Sequence, residues 1–108
     1  MTTVSFIKKD SMLSGIDISG HSGYARPGKD IICSAITTLS DVIATYLTKI
    51  SDVPPKIIIE NSKEEPRIFI GVTSQDPTVI TLADQFLQSV KESLSDSMSQ
   101  YDKYIQIL

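Results

Sequence analysis

Two side chains in the sequence could carry out nucleophilic chemistry together, and each is the only residue of its type in the chain. His21 and Cys33 are the one histidine and the one cysteine among 108 residues. A cysteine thiolate is a strong nucleophile, and a histidine within reach can take its proton and pass it to a leaving group. The alternative is a structural thiol beside an unrelated surface histidine, and the residue types alone leave both interpretations open.

A helix must position the cysteine. Apolar residues recur at helical spacing from position 31 to position 50, and no glycine or proline interrupts them. Asp30 precedes this segment as an N-cap whose carboxylate can accept from the amides of Ile32 or Cys33. Cys33 then lies in the first helical turn, beside the apolar stripe rather than in it. Free amides and the helix dipole stabilise an anion at that position.

The other elements predict an α+β fold. Alternating apolar residues predict strands, and Gly15 indicates a bulge in the second of them. Asp76 and Pro77 begin a second helix as N-cap and first residue. The polar stretch NSKEEP is a predicted hairpin loop, with the KEE run a solvated turn. The predicted strands are 2–9, 12–20, 56–60, 67–72 and 103–108. The order β-β-α-β-β-α-β predicts one domain over 1–108, with a mixed or antiparallel sheet and two helices packed on one face.

Composition restricts the functional class. Hydrophobic residues make up 41% of the chain and charged residues 21%, with a formal net charge of -3. No block of basic residues favours nucleic-acid binding, and no apolar run approaches the roughly 20 residues that span a bilayer. One cysteine makes neither an internal disulfide nor, with one histidine, a zinc cage. We therefore expect a cytoplasmic protein without cofactor, metal, membrane association or direct nucleic-acid binding.

A near match to a nucleotide-binding loop offers a rival interpretation. The segment GYARPGKD, residues 23–30, approaches the phosphate loop that joins a strand to a helix. Asp30 stands where a hydroxyl should ligate magnesium, and a carboxylate there repels phosphate. Lys29 and the glycines at a helix start could still bind some other anion, such as a carboxylate.

The segment GHSGYARPGKDIICSAIT, residues 20–37, resembles the signature of the ribosomal-processing cysteine proteases, the Prp (YsxB-like) family. That pattern runs approximately G-H-[AS]-G-Y-A, two variable residues, G, one variable residue, then D-[IV]-[IV]-C-[AS]-A-[IV]-[ST]. The match has no gap. Ser22 and Ser34 replace the commoner alanine, and Thr37 replaces a residue that is often serine. The rest of the chain agrees with the family in length and element order.

The resemblance implies a cytoplasmic endopeptidase that forms homodimers. Its substrate would be the precursor of a large-subunit ribosomal protein, the one numbered twenty-seven, with a hydrophobic N-terminal extension. Cleavage would follow aromatic residues and precede a small residue. His21 and Cys33 would be the catalytic dyad, and Asp30 and Thr37 would support it. The resemblance also implies a flexible substrate loop containing Gly20, Ser22, Gly23, Tyr24 and Gly28.

The chemistry implied is acyl transfer through a thioester, with several roles still open. Backbone amides at the helix start, or in the glycine loop, would stabilise the oxyanion. Asp30 could cap the helix or orient His21, and Thr37 could simply bond its own backbone. Tyr24 could be a wall of the substrate site or an anchor of the loop. A non-catalytic ribosome-associated module that grips a peptide with an anion-binding glycine loop is the alternative function.

Overall fold

A computed structural model of the chain describes residues 1–26 and 30–108 and confirms the predicted order of elements. Each predicted strand is present, within one or two residues of the expected ends. A short 3₁₀ turn before the last strand was not predicted. The elements are β1 Thr2–Lys9, β2 Met12–Ser19, α1 Ile31–Ile50, β3 Lys56–Glu60, β4 Arg67–Gly71, α2 Pro77–Ser97, the 3₁₀ turn Ser99–Tyr101 and β5 Ile105–Ile107.

The strands form one mixed sheet in the order β3-β4-β2-β1-β5. β5 lies parallel to β1, and the other neighbours are antiparallel. The register of the β1–β2 hairpin shifts between Ile7 and Lys8, so Ser14 has no partner beside Gly15. This is the bulge that Gly15 predicted. A side chain at Gly15 would approach the Ile70 carbonyl on β4 at 2.6 Å, which explains why glycine stands there.

Both helices pack on one face of the sheet. Strand residues that share this face, such as Val4, Ile16 and Ile70, are almost completely buried. They form one core with the buried side chains of the helices. α1 is long and apolar enough to cross a membrane, but helices in the core of a protein have the same length and composition. The helix residues in the core are Ile32, Ile36, Ile43, Leu47, Ala83, Leu87, Val90 and Leu94.

Each helix begins at the aspartate that the sequence predicts. The Asp30 side chain accepts hydrogen bonds from the amides of Ile32 and Cys33 at the start of α1. The Asp76 side chain accepts from the Thr78 amide at the start of α2, whose first residue is proline. Because α1 begins directly after the glycine-rich segment, Asp30 fixes the place of Cys33 relative to the end of β2.

Candidate active site

Cys33 lies in the first turn of α1 and is half-buried, beside the apolar stripe as the helical spacing predicts. Its Sγ atom is 3.8 Å from the hydroxyl of Ser22, which is itself buried. One turn later, the Thr37 hydroxyl donates to the Cys33 carbonyl over 2.9 Å. Thr37 therefore bonds its own helix backbone, as its simpler interpretation expects.

Asp30 uses both carboxylate oxygens for hydrogen bonds within the start of α1 and the preceding loop. Oδ1 accepts from the amides of Ile32 and Cys33, each at 3.0 Å, and Oδ2 accepts a short hydrogen bond from the Ser22 hydroxyl. Burial raises the pKa of this carboxyl, but the hydrogen bonds that it accepts lower the pKa by more, so the pKa falls overall. These bonds come from the Ser22 hydroxyl, from the amides of Cys33 and Ala25 and from the Cys33 thiol. Asp30 is an ionised cap that supports the position of Cys33.

Three amides at the helix start already have acceptors within the protein. Those of Ile32 and Cys33 donate to the Asp30 carboxylate, and that of Ser34 donates to the Asp30 carbonyl over 3.1 Å. The Asp30 cap and a substrate oxyanion would compete for these donors. That amides at the helix start or in the glycine-rich loop stabilise the oxyanion stays a prediction.

His21 is exposed at the end of β2 and contacts a distant hairpin. Its Nε2 atom is 2.7 Å from the main-chain carbonyl of Lys63, in the loop between β3 and β4. Among residues 1–26 and 30–108, no hydrogen bond joins His21 to Cys33 or to Asp30. His21 and Cys33 do line the same two surface depressions, with Thr37 beside them in both. The fold thus brings the histidine and the cysteine to one site without a direct bond.

A groove of about 270 Å³ runs beside this pair, between α1 and the sheet. Its apolar lining comes from Ile18, Ile36 and Ile68, with Pro66 from the β3–β4 loop. Polar groups stand among them, notably Arg67, whose guanidinium makes two hydrogen bonds to Asp17 at 2.9 and 3.0 Å. The remaining lining residues are Thr2, Gly20, His21, Cys33, Thr37, Glu60 and Asn61. An extended peptide with apolar side chains could enter such a groove.

The described part of the predicted substrate loop contains two glycines with positive φ and a tyrosine ring that packs against the C-terminal segment. Gly20 and Gly23 have positive φ angles of 84° and 70°. The Tyr24 ring packs edge-on against Tyr101 and Tyr104, with centroids 5.6 and 5.2 Å away. Tyr24 does not line the apolar groove, so its contacts favour the role of loop anchor over that of substrate wall. Gly28 lies outside the described residues.

The sequence interpretation missed the contribution of the β3–β4 hairpin. Residues 63–65 are exposed, in agreement with the predicted solvated turn, but Asn61 and Pro66 also line the groove and the Lys63 carbonyl contacts His21. Nothing in the local pattern of a polar loop indicates such contacts. Within the part of the chain that the structure describes, no group of three or more His, Cys, Asp or Glu side chains could hold a metal ion.

Comparisons with known proteins identify the family. Residues 1–106 match the family described as Cysteine protease Prp. The chain belongs to this family. It is therefore a cysteine protease, and Cys33 is the one cysteine that the sequence offers. No curated protein matches the sequence significantly.

Solved structures share the fold of this Prp-family protease. The essential ribosomal processing protease Prp from S. aureus, in complex with a covalently linked product peptide, has a TM-score of 0.73 at 19% identity, over 99% of this chain and 97% of the other. The same protease with a substrate peptide has a TM-score of 0.71 at 18% identity, over 100% and 98%. SMU.848 from Streptococcus mutans has a TM-score of 0.69 at 22% identity, over 99% and 91%.

Proposed function

We propose that the protein is a cytoplasmic endopeptidase of ribosome assembly, and that His21 and Cys33 are its catalytic dyad. The substrate is the precursor of the large-subunit ribosomal protein numbered twenty-seven, and the reaction removes its short N-terminal extension. One observation carries the proposal: the only thiol of the chain stands at a helix start, lines two surface depressions together with the only histidine, and opens onto an apolar groove.

The family and the structural relatives support this choice of substrate class. The S. aureus protein of the same fold is a ribosomal processing protease whose structures contain substrate and product peptides. The identities of 18 and 19% establish the fold, whereas the gap-free signature around His21 and Cys33 links this chain to the chemistry.

The groove supports a hydrophobic extension as the bound segment. Ile18, Ile36 and Ile68 give it an apolar lining close to the Cys33 thiol. Burial of apolar side chains contributes roughly 25 cal/mol per Å². Aromatic residues just before the scissile bond would contribute more binding energy than smaller residues, because they bury a larger area. Cleavage between an aromatic and a small residue is what the family resemblance implies, and the apolar groove is compatible with it.

The proposed reaction uses Cys33 as nucleophile and His21 as base and acid. His21 takes the proton from the Cys33 thiol, and the thiolate attacks the scissile carbonyl to form a tetrahedral intermediate. The intermediate collapses when the C–N bond breaks, and His21 gives its proton to the leaving amine. Water then hydrolyses the thioester and releases the extension with a free carboxylate. Catalytic hydrogen bonds are often long in unliganded enzymes, so the missing His21–Cys33 bond would form in the substrate complex.

The protein acts as a homodimer in this proposal, in keeping with the family resemblance. Two isoleucines of the edge strand β3 give this surface the apolar character of an interface: Ile57 is 46% exposed and Ile59 is 62% exposed. Light scattering during size-exclusion chromatography should give twice the mass of one chain. A Lys replacement at Ile59 should lower that mass if β3 contributes to the dimer.

Cleavage of a synthetic precursor peptide tests the function. The peptide carries a hydrophobic N-terminal extension that ends in aromatic residues before a small residue, and mass spectrometry locates the cut. We expect wild type to cut before the small residue and Cys33→Ala to bind without cutting. Thr48→Ala, an exposed position of α1 that lines neither depression, serves as a matched surface control and should cut like wild type. Binding without cleavage by wild type would instead indicate the non-catalytic peptide-binding module.

A further inference from the structure

The contact between His21 and the β3–β4 hairpin defines which ring nitrogen carries the proton. A carbonyl oxygen can only accept, so the Nε2 atom that lies 2.7 Å from the Lys63 carbonyl must donate a hydrogen. In the neutral imidazole the other nitrogen, Nδ1, then has the free lone pair. A general base needs that lone pair, so the hydrogen bond prepares one particular nitrogen for the thiol proton.

We propose that the main-chain carbonyl of Lys63 is the positioning group of His21: it holds the imidazole as the Nε2–H tautomer and leaves Nδ1 to act on Cys33. This inference rests on the proposed function, because it assigns the third member of that catalytic group. Cysteine and serine hydrolases use a side chain for this task, for example an asparagine or an aspartate. Here a backbone atom contributed by a separate hairpin takes that place.

The side chain that could have taken this role is engaged elsewhere. Asp30 is the carboxylate closest to Cys33 in sequence, and both of its oxygens accept hydrogen bonds from Ser22, Ile32 and Cys33. Among residues 1–26 and 30–108, its hydrogen bonds are with these groups and none is with His21. The division of tasks lets Asp30 remain the helix cap while the hairpin orients the base.

A second hydrogen bond joins the hairpin to the segment that contains His21, and it helps to hold the Lys63 carbonyl in place. The amide of Gly20, the residue before His21, donates to the Pro66 carbonyl over 3.0 Å. Within the hairpin, the Ser62 hydroxyl accepts from the amides of Glu64 and Glu65, each at 3.3 Å. These bonds fix the turn that presents the Lys63 carbonyl.

Histidine-specific ¹⁵N labelling tests the proposal, because the chain has one histidine and gives one pair of imidazole signals. We expect the wild-type protein, at a pH where the ring is neutral, to show protonated Nε2 with its proton protected from exchange with water. Deletion of residues 63 and 64 removes the carbonyl but keeps Asn61 and Pro66, and it leaves a four-residue hairpin loop. That variant should lose the protected proton. Lys63→Ala keeps the carbonyl and should match wild type.

Kinetics of peptide cleavage give the second measurement. A neutral hydrogen bond corresponds to about a three- to tenfold effect on a rate, so the deletion should lower kcat by that factor with little change in KM. A wild-type ring protonated at Nδ1, or a deletion variant with the wild-type spectrum and kcat, would overturn the proposal. Because the spectra need no turnover, absence of cleavage in wild type would count against the proposed function and not against the hydrogen bond.

Discussion

Asp30 and Ser22 form a buried pair whose removal should affect the start of α1 in a way that can be calculated. The two side chains are 7% and 3% exposed, and the Ser22 hydroxyl donates to Oδ2 of Asp30. The other oxygen, Oδ1, accepts from the amides of Ile32 and Cys33. Asp30→Ala therefore removes the helix cap and also leaves a buried hydroxyl without its acceptor.

Two contributions set the size of the effect. Replacement of an aspartate N-cap by alanine costs about 1 kcal/mol. A buried hydroxyl deprived of its partner adds about 1 to 3 kcal/mol. We thus expect Asp30→Ala to lower the free energy of unfolding by about 2 to 4 kcal/mol. Asp30→Asn keeps one carbonyl oxygen as cap but replaces the acceptor of the Ser22 hydroxyl by an NH2 donor, so it should cost about 1 kcal/mol less than Asp30→Ala.

Urea unfolding of four proteins separates the two contributions. Asp30→Ala is measured in the wild-type background and in a Ser22→Ala background, where no hydroxyl is left unpaired. In the second background its cost should fall to the cap contribution of about 1 kcal/mol. With a denaturant slope of about 2 kcal/mol/M, Asp30→Ala alone should lower the urea midpoint by about 1 to 2 M.

Two outcomes would refute this reasoning about Asp30. One is an equal cost of Asp30→Ala in both backgrounds, which would mean that Ser22 and Asp30 are not coupled. The other is a cost of Asp30→Asn as large as that of Asp30→Ala, which would mean that capping is not the main role. Peptide cleavage by Asp30→Asn should stay within about tenfold of wild type, because an intact cap leaves Cys33 in place.

Three further predictions concern stability. Gly20→Ala and Gly23→Ala both place a side chain at positive φ, at a cost of about 1 to 2 kcal/mol. Only at Gly20 would the new carbon meet a carbonyl, at 2.5 Å, so Gly20→Ala should give the lower urea midpoint. Equal midpoints would contradict this. Asp84 accepts from the buried Leu13 amide over 2.7 Å, so Asp84→Ala should cost about 1 to 3 kcal/mol in urea unfolding, and an unchanged midpoint would exclude that role. Hydrogen bonds from Gln88 and then from Leu13 lower the pKa of the Asp84 carboxyl. Its contribution to the free energy of unfolding is therefore present above the unfolded-state pKa of about 3.9 and is lost as pH falls through the folded-state pKa. Asp84→Asn should make the free energy of unfolding less dependent on pH below about pH 4.

The parts of the fold that depend on local sequence were predictable. Asp30 and the pair Asp76–Pro77 mark helix starts because a carboxylate satisfies amides that have no partner within the helix. Gly15 marks the bulge because a side chain there would meet β4. The position of Cys33 beside the apolar stripe follows from helical periodicity alone.

The contacts between distant segments could not be predicted in the same way. The parallel pairing of β5 with β1 joins the two ends of the chain, and no local pattern specifies it. The bond from His21 to the Lys63 carbonyl depends on how β4 pairs with β2, and any residue at position 63 supplies a carbonyl. Asp30, correctly predicted as a cap, accepts from the Ile32 and Cys33 amides, which are also predicted to serve the oxyanion, and the sequence does not show which acceptor they bind during the reaction.

Capture of the acyl-enzyme tests the central claim, that Cys33 is the nucleophile and His21 its base, most directly. The precursor peptide is mixed with wild type, His21→Ala and Cys33→Ala, quenched in acid within milliseconds to seconds, and examined by intact-protein mass spectrometry. The account predicts that wild type gains the mass of the released N-terminal extension less one water, as a thioester on Cys33. His21→Ala should gain this mass far more slowly, and Cys33→Ala should never gain it. Cleavage by Cys33→Ala, or equal acylation rates in wild type and His21→Ala, would contradict the account.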